Sequence, residues 1–108
     1  MSYKVLTIPP FDKQLKKLIK KYPSLKIEIA ELIQSLKIEP ANGTALGNEC
    51  FKIRLAIASK GKGKSGGARI ITYFAVTASS VFLLSIYDKS EIASISRDDV
   101  RQLIIRRK

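Results

Sequence analysis

The sequence contains no histidine and no tryptophan, a single cysteine, and only nine acidic residues against twenty lysines and arginines. Each shortage excludes something. Lack of histidine removes both the commonest general base and the commonest metal ligand. Chemistry must then fall to Lys, Arg, Tyr, Ser or the few carboxylates, and no metal site or cofactor is expected. A lone Cys50 excludes an internal disulfide and a cysteine-rich zinc site. Beside Phe51, at the head of an apolar segment, it reads as a small buried hydrophobe. The absence of tryptophan counts against a membrane-surface helix, whose apolar face usually carries Trp or Phe. No apolar run approaches the roughly 18 to 20 residues of a membrane span. Met1 to Pro10 lacks the basic head, long apolar stretch and small-residue cleavage site of a secretory leader. A cytoplasmic location is therefore expected, with no membrane partner.

What the chain does have is bulk and positive charge. Its 108 residues fit one domain, taken as residues 1–108, and 45% hydrophobic content with 27% charged residues belongs to a globular chain. The formal charge of +11 repels itself and attracts polyanions. Nucleic acid, an anionic membrane and an acidic protein are the three partner classes this leaves.

Hydrophobic spacing divides the chain into elements. Tyr3 to Ile8 is short and β-branched enough for a strand, which Pro9 and Pro10 end. From Phe11 the apolar positions Phe11, Leu15, Leu18 and Ile19 recur at helical spacing, with Lys13, Lys16, Lys17, Lys20 and Lys21 opposite. Pro23 stops this helix. A second helix is predicted from about Ser24 to Lys37, and the short turn between them implies an antiparallel helical hairpin. Glu39 to about Asn48 reads as loop. Cys50 to Ala58 alternates as a strand, with Phe51, Ile53, Leu55 and Ile57 on one face and Lys52 and Arg54 on the other. A loop from Ser59 to Gly67 leads to strands at Ala68–Val76 and Ser80–Tyr87, joined as a hairpin through Thr77–Ser79. Ser96 opens a C-terminal helix as an N-cap with an acid three residues on, running to the basic end at Lys108. Helices followed by sequential strands indicate an α+β fold, a mostly antiparallel sheet with an N-terminal helical hairpin and a C-terminal helix.

The loop and its flanking strands carry the candidate chemistry. Between Ser59 and Arg69 stand four glycines and three lysines. Glycine lets backbone amides approach an anion, and lysine adds mobile positive charge. Gly63-Lys64-Ser65 has the tail of a P-loop, but the glycine required five residues earlier is Ala58, and a strand follows instead of a helix. The bland reading is a solvated hairpin connection. Against it stand the neighbouring strands: Lys52 and Arg54 share a face, about 6 to 7 Å apart, Arg69 opens the next strand, and Lys89 follows the third. Together with the loop they outline a cationic site for a phosphodiester. Tyr73 and Tyr87 are candidates for base stacking, although strand aromatics more often pack the sheet.

Three motifs, Phe51-Lys52-Ile53-Arg54, Gly67-Ala68-Arg69-Ile70-Ile71-Thr72-Tyr73-Phe74 and Ile86-Tyr87-Asp88-Lys89-Ser90-Glu91, together with the Ser-Lys-Gly-Lys-Gly-Lys loop, resemble the RelE/HigB branch of the RelE/ParE toxins. These are the toxin halves of bacterial type II toxin–antitoxin pairs. The resemblance implies a small RelE-like fold and a ribosome-dependent, metal-independent endonuclease that cuts mRNA and inhibits translation. In that mechanism the RNA 2′-hydroxyl attacks the adjacent phosphate while basic side chains orient the phosphate and handle two protons. It also implies Lys52, Arg54, Arg69 and Lys89 as catalytic residues, and Lys60, Lys62, Lys64 and Tyr73 as RNA-binding residues. An arginine fork suits a crowded phosphate better than a point charge, and a lysine crowded by arginines is a candidate base. The loop lysines are expected on a mobile tether. Partners implied are the ribosome, mRNA and a cognate antitoxin with an acidic segment and DNA-binding capacity. A gyrase inhibitor on the same scaffold and a non-catalytic RNA-binding module remain as alternatives, because a fold does not fix a function.

Overall fold

In a computed structural model of the chain, the structure is described for residues 3–61, 63 and 66–90. The elements run β1 (Lys4–Thr7), α1 (Pro9–Lys21), α2 (Leu25–Ile38), β2 (Thr44–Gly47), β3 (Cys50–Leu55), β4 (Ala68–Ala75) and β5 (Ser80–Asp88). The five strands form one sheet in the order β1-β5-β4-β3-β2. Neighbours from β2 through β5 pair antiparallel, and β1 alone runs parallel, beside β5. The fold is α+β, as expected. The expected C-terminal helix from Ser96 lies outside the described residues. No helix among the described residues is long and apolar enough to cross a membrane.

Two prolines shape the start of α1. Pro9 and Pro10 occupy its first positions instead of merely ending the strand, because neither needs a backbone N–H there. Asp12 in the first turn and Lys20 and Lys21 in the last complement the helix dipole. At Tyr22 the backbone leaves helical geometry, Pro23 follows, and α2 begins at once. The buried side of the hairpin carries Phe11, Leu18, Leu25, Ile29, Leu32 and Leu36. It packs against Ile53, Ile70, Val81, Leu83 and Ile86 in one apolar cluster. Phe11, fully buried, contributes about 2–3 kcal/mol by leaving water.

β2 is an addition to the expected elements. Thr44-Ala45-Leu46-Gly47 has one large apolar side chain and no alternation, so nothing in its pattern distinguishes it from loop. It forms because Asn48 and Glu49 both take positive φ and turn the chain back onto β3. Gly43 makes the approach possible: a Cβ there would lie 2.4 Å from the Lys52 carbonyl oxygen.

β1 ends at Thr7, opposite Leu83, so β5 has no strand neighbour on that side beyond this point. Gln14 of α1 takes over. Its Oε1 accepts hydrogen bonds from the Ile86 N–H at 3.0 Å and the Ser85 hydroxyl at 3.1 Å. A side chain thereby completes a ladder that the short strand leaves open.

Candidate nucleic-acid interface

Cross-strand register decides which side chains share a face. In the ladder of β3, β4 and β5, Leu55 pairs with Ala68, and Ala68 with Asp88; Ile53 pairs with Ile70, and Ile70 with Ile86. These residues look toward the helices, since Asp88 meets Tyr22 at the end of α1. Alternation turns the intervening residues to the opposite side. There Arg54 pairs with Arg69, and Arg69 with Tyr87, in one row across three strands. Lys52, paired with Ile71, stands two residues along the same face from Arg54. Lys89 follows Tyr87 by two residues, and its N–H donates to the Gly67 carbonyl at 3.0 Å.

Of the four cationic residues expected to form the site, Lys52, Arg54 and Arg69 thus share the sheet face away from the helices, and Lys89 follows in the turn just past the end of β5. Directly opposed like charges destabilise a strand pair by up to about 1 kcal/mol relative to neutral ones. Arg54 and Arg69 are such a directly opposed pair by register. The two arginines differ in depth. Arg54 is exposed, whereas Arg69 is only 3% exposed and its Nη1 donates to the Ala68 carbonyl at 3.2 Å. Tyr87 is also buried, and among the described residues its hydroxyl has no hydrogen-bond partner. Burial raises its pKa, against a smaller lowering influence from Arg69, so it stays neutral beside the row. Tyr73 lies further along the same face, half-buried, with its ring 6.3 Å from that of Phe82.

Lys60 requires a correction. It is not a lysine on a free tether. It ends a 3-10 turn over Ala58–Lys60, and its ammonium forms an ion pair with the fully buried Asp88 carboxylate. Asp88 Oδ2 accepts from the Tyr22 hydroxyl at 2.9 Å, and Oδ1 accepts from the Ser90 N–H at 2.9 Å and the Ser90 hydroxyl at 2.8 Å. Burial alone would raise the Asp88 pKa, but the hydrogen bonds from Lys60, Ser90 and Tyr22 outweigh it and hold the carboxyl well below the usual range. The Lys60 ammonium also lies 5.7 Å from the centre of the Tyr22 ring. A paired acid at the end of β5 offered the lysine a better partner than solvent.

A second set of bonds fixes the same end of the loop. Ser24 and Ser59 exchange reciprocal hydrogen bonds from backbone N–H to hydroxyl, each 2.9 Å, and Glu28 accepts the Ala58 N–H at 2.7 Å. At the other end Gly67 lies so close to β3 that a Cβ would sit 2.1 Å from the Leu55 carbonyl oxygen. The loop is therefore clamped at both ends. Lys62 and Lys64 lie outside the described residues. Asp88, Tyr22 and Glu28 escaped the sequence reading; the scarcity of acids was the available signal, since an acid closing an apolar strand in so basic a chain calls for a partner.

Comparison with known proteins agrees with this architecture. The family model described as the RelE toxin of the RelE/RelB toxin–antitoxin system matches residues 11–106. Among solved structures, the chain is similar to a doubly substituted E. coli toxin RelE in the free state, with TM-score 0.66, 16% identity and 98% of each chain covered. It is similar to the intact E. coli RelBE toxin–antitoxin complex, with TM-score 0.51, 22% identity, 81% of this chain and 96% of that one covered. A third likeness is to the substituted E. coli RelE bound to an antitoxin RelB peptide, with TM-score 0.52, 24% identity, and 90% and 98% covered.

Proposed function

Since the chain belongs to the RelE toxin family, we propose that it is a toxin that cuts mRNA on the ribosome through the Lys52, Arg54, Arg69 and Lys89 face. The observation that carries this reading is the register placing Arg54 directly opposite Arg69. In the reaction the RNA 2′-oxygen attacks the neighbouring phosphorus and loses its proton to a base. The bond to the 5′-oxygen breaks, and that oxygen takes up a proton. The products are a 2′,3′-cyclic phosphate and a 5′-hydroxyl end.

Charge builds on the phosphate oxygens as the fifth bond forms. Exposed Arg54 contacts the phosphate with a planar two-donor fork, and Lys52 beside it adds a point charge. Arg69 lies deeper, held by the Ala68 carbonyl. A fixed charge in a less polar setting acts more strongly than one in water and needs no reorganisation as the reaction proceeds. Lys89, placed by its backbone bond to Gly67, borders the same row. The two proton transfers fall to basic residues of this face.

The partners in this reading are the ribosome, its mRNA, and a cognate antitoxin whose acidic segment meets the basic face, as the charge of +11 favours. The test is a translation extract supplied with purified protein, with mRNA ends mapped by primer extension. Codon-positioned cuts are expected, and Arg54→Ala or Arg69→Ala reduces their rate by about 10²–10³-fold. Translating mRNA left intact by the wild-type protein overturns the proposal.

A further inference from the structure

Lys89 stands at the centre of a turn closed by the side chain of the residue before it. Asp88 Oδ1 accepts the Ser90 N–H at 2.9 Å and the Ser90 hydroxyl at 2.8 Å, the form of an Asx turn with Lys89 between its ends. The Lys89 N–H donates to the carbonyl of Gly67, two residues before Arg69, at 3.0 Å. The backbone of Lys89 is thus fixed twice, once to the strand that carries Arg69 and once through a single carboxylate oxygen.

That same oxygen receives the Lys60 ammonium, which also donates to the Ser90 hydroxyl at 3.3 Å. Lys60 therefore touches both ends of the turn around Lys89. It is anchored from its own side as well. Its N–H donates to the Ile57 carbonyl at 3.0 Å, and the Ala58 and Ser59 N–H groups before it are taken by Glu28 and Ser24. Charge matters as much as contact. Asp88 is fully buried and adjoins Lys89 in the chain. An unpaired carboxylate there would attract the nearest cations strongly, because little water screens it. Lys60 cancels that field from within and leaves the Lys89 ammonium available to a phosphate. From this arrangement we propose that Lys60 and Asp88 are positioning residues for the reaction, a buried neutral pair that sets the turn of Lys89 and keeps its charge for RNA. The proposal rests on the functional reading above. It gives Lys60 a different task from a loop lysine that grips RNA, and experiment separates the two.

The test measures single-turnover cleavage of mRNA on programmed ribosomes over a range of protein concentration and salt. The temperature is one at which circular dichroism shows every variant folded. Lys60→Met is expected to lower the saturating rate at least about tenfold, since a 1 Å misplacement costs about 10²-fold. The half-saturating concentration and the salt slope should not change, whereas loss of an RNA contact would lower that slope by roughly 0.7–0.9. In a Lys89→Met background the same substitution should change the rate less than about twofold, because it acts through Lys89. Lys60→Met combined with Asp88→Asn removes both charges, keeps an acceptor for the turn, and should recover most of the rate. A salt slope that falls with Lys60→Met overturns the proposal, as do losses at Lys60 and Lys89 that simply multiply, or a double variant no faster than Lys60→Met. Amide hydrogen exchange reads the positioning without cleavage. Lys60→Met should lower protection of the Lys89 N–H, while the Phe74 N–H, bonded to Glu49 near the other end of β4, keeps its own. Unchanged Lys89 protection overturns the inference. Lost protection in a protein that never cuts mRNA would uphold the positioning and remove the reaction assigned above.

Discussion

Replacing Asp88 with Asn tests whether the basic face is held from behind. The carboxylate is fully buried, and it gathers Lys60, Tyr22 and two groups of Ser90. An amide has a single acceptor oxygen, which at the Oδ1 position still accepts from Ser90 while its NH2 can donate to the Tyr22 hydroxyl, but it leaves the Lys60 ammonium, whose side chain is only 9% exposed, without a counter-charge. Breaking one side of a buried ion pair costs about 3–5 kcal/mol, and the retained hydrogen bonds place the expected loss near the lower figure. Lys60→Met should cost less, about 1–2 kcal/mol, because Asp88 keeps three neutral donors. The double variant should then be more stable than the sum of the two losses predicts. The assay is urea unfolding of the wild type, both single variants and the double variant. Strict additivity, or an Asp88→Asn loss below about 1 kcal/mol, refutes the reasoning. The pH dependence has a definite sign. Because the folded pKa lies below the unfolded one, the contribution of Asp88 is full above about pH 4 and declines as the pH falls toward the depressed folded value. Asp88→Asn should accordingly flatten the acid limb of the stability profile.

Gly67→Ala forces a Cβ toward the Leu55 carbonyl and shifts the backbone that receives the Lys89 N–H; mapped mRNA cleavage should fall at least tenfold with no gain on adding protein. Tyr87→Phe removes a buried hydroxyl with no partner among the described residues, so urea unfolding should show no loss and a gain of up to about 1 kcal/mol. The Cys50 thiol is buried and its pKa is pushed up to about 11, by burial first and by Glu49 second; it should resist iodoacetamide at neutral pH until the protein is unfolded, and rapid labelling of native protein would contradict the structure.

The parts of the molecule visible in the sequence are those written as side-chain alternation. β3 alternates, so Arg54 and Lys52 could be assigned to a face before any register was known, whereas β4 and β5 are apolar runs buried on both sides. The helical hairpin follows from its spacing and Pro23. β2 was hidden because its cause lies in the backbone, at Asn48 and Glu49, and not in its own side chains. Lys60 was misplaced because composition treats all loop lysines alike, whereas an ion pair with a residue 28 positions away decides this one. The depth difference between Arg54 and Arg69 was likewise out of reach, since both sit on the same face by alternation and only packing separates them.

The parallel pairing of β1 with β5 has a consequence in time. Lys4 precedes its partner Ser80 in the chain, and every other described strand is made between them. Non-local pairings of this kind slow folding, because the intervening chain must be ordered before they form. At translation rates of about 5–20 residues per second, β1 waits roughly 4–15 seconds for β5 to be made. Arg69 precedes Asp88, so the basic row is synthesised before the carboxylate that braces the loop beneath it. The Arg54–Arg69 pair is thus made before the strand and the carboxylate that organise its surroundings, and its arrangement is acquired only once β5 is complete.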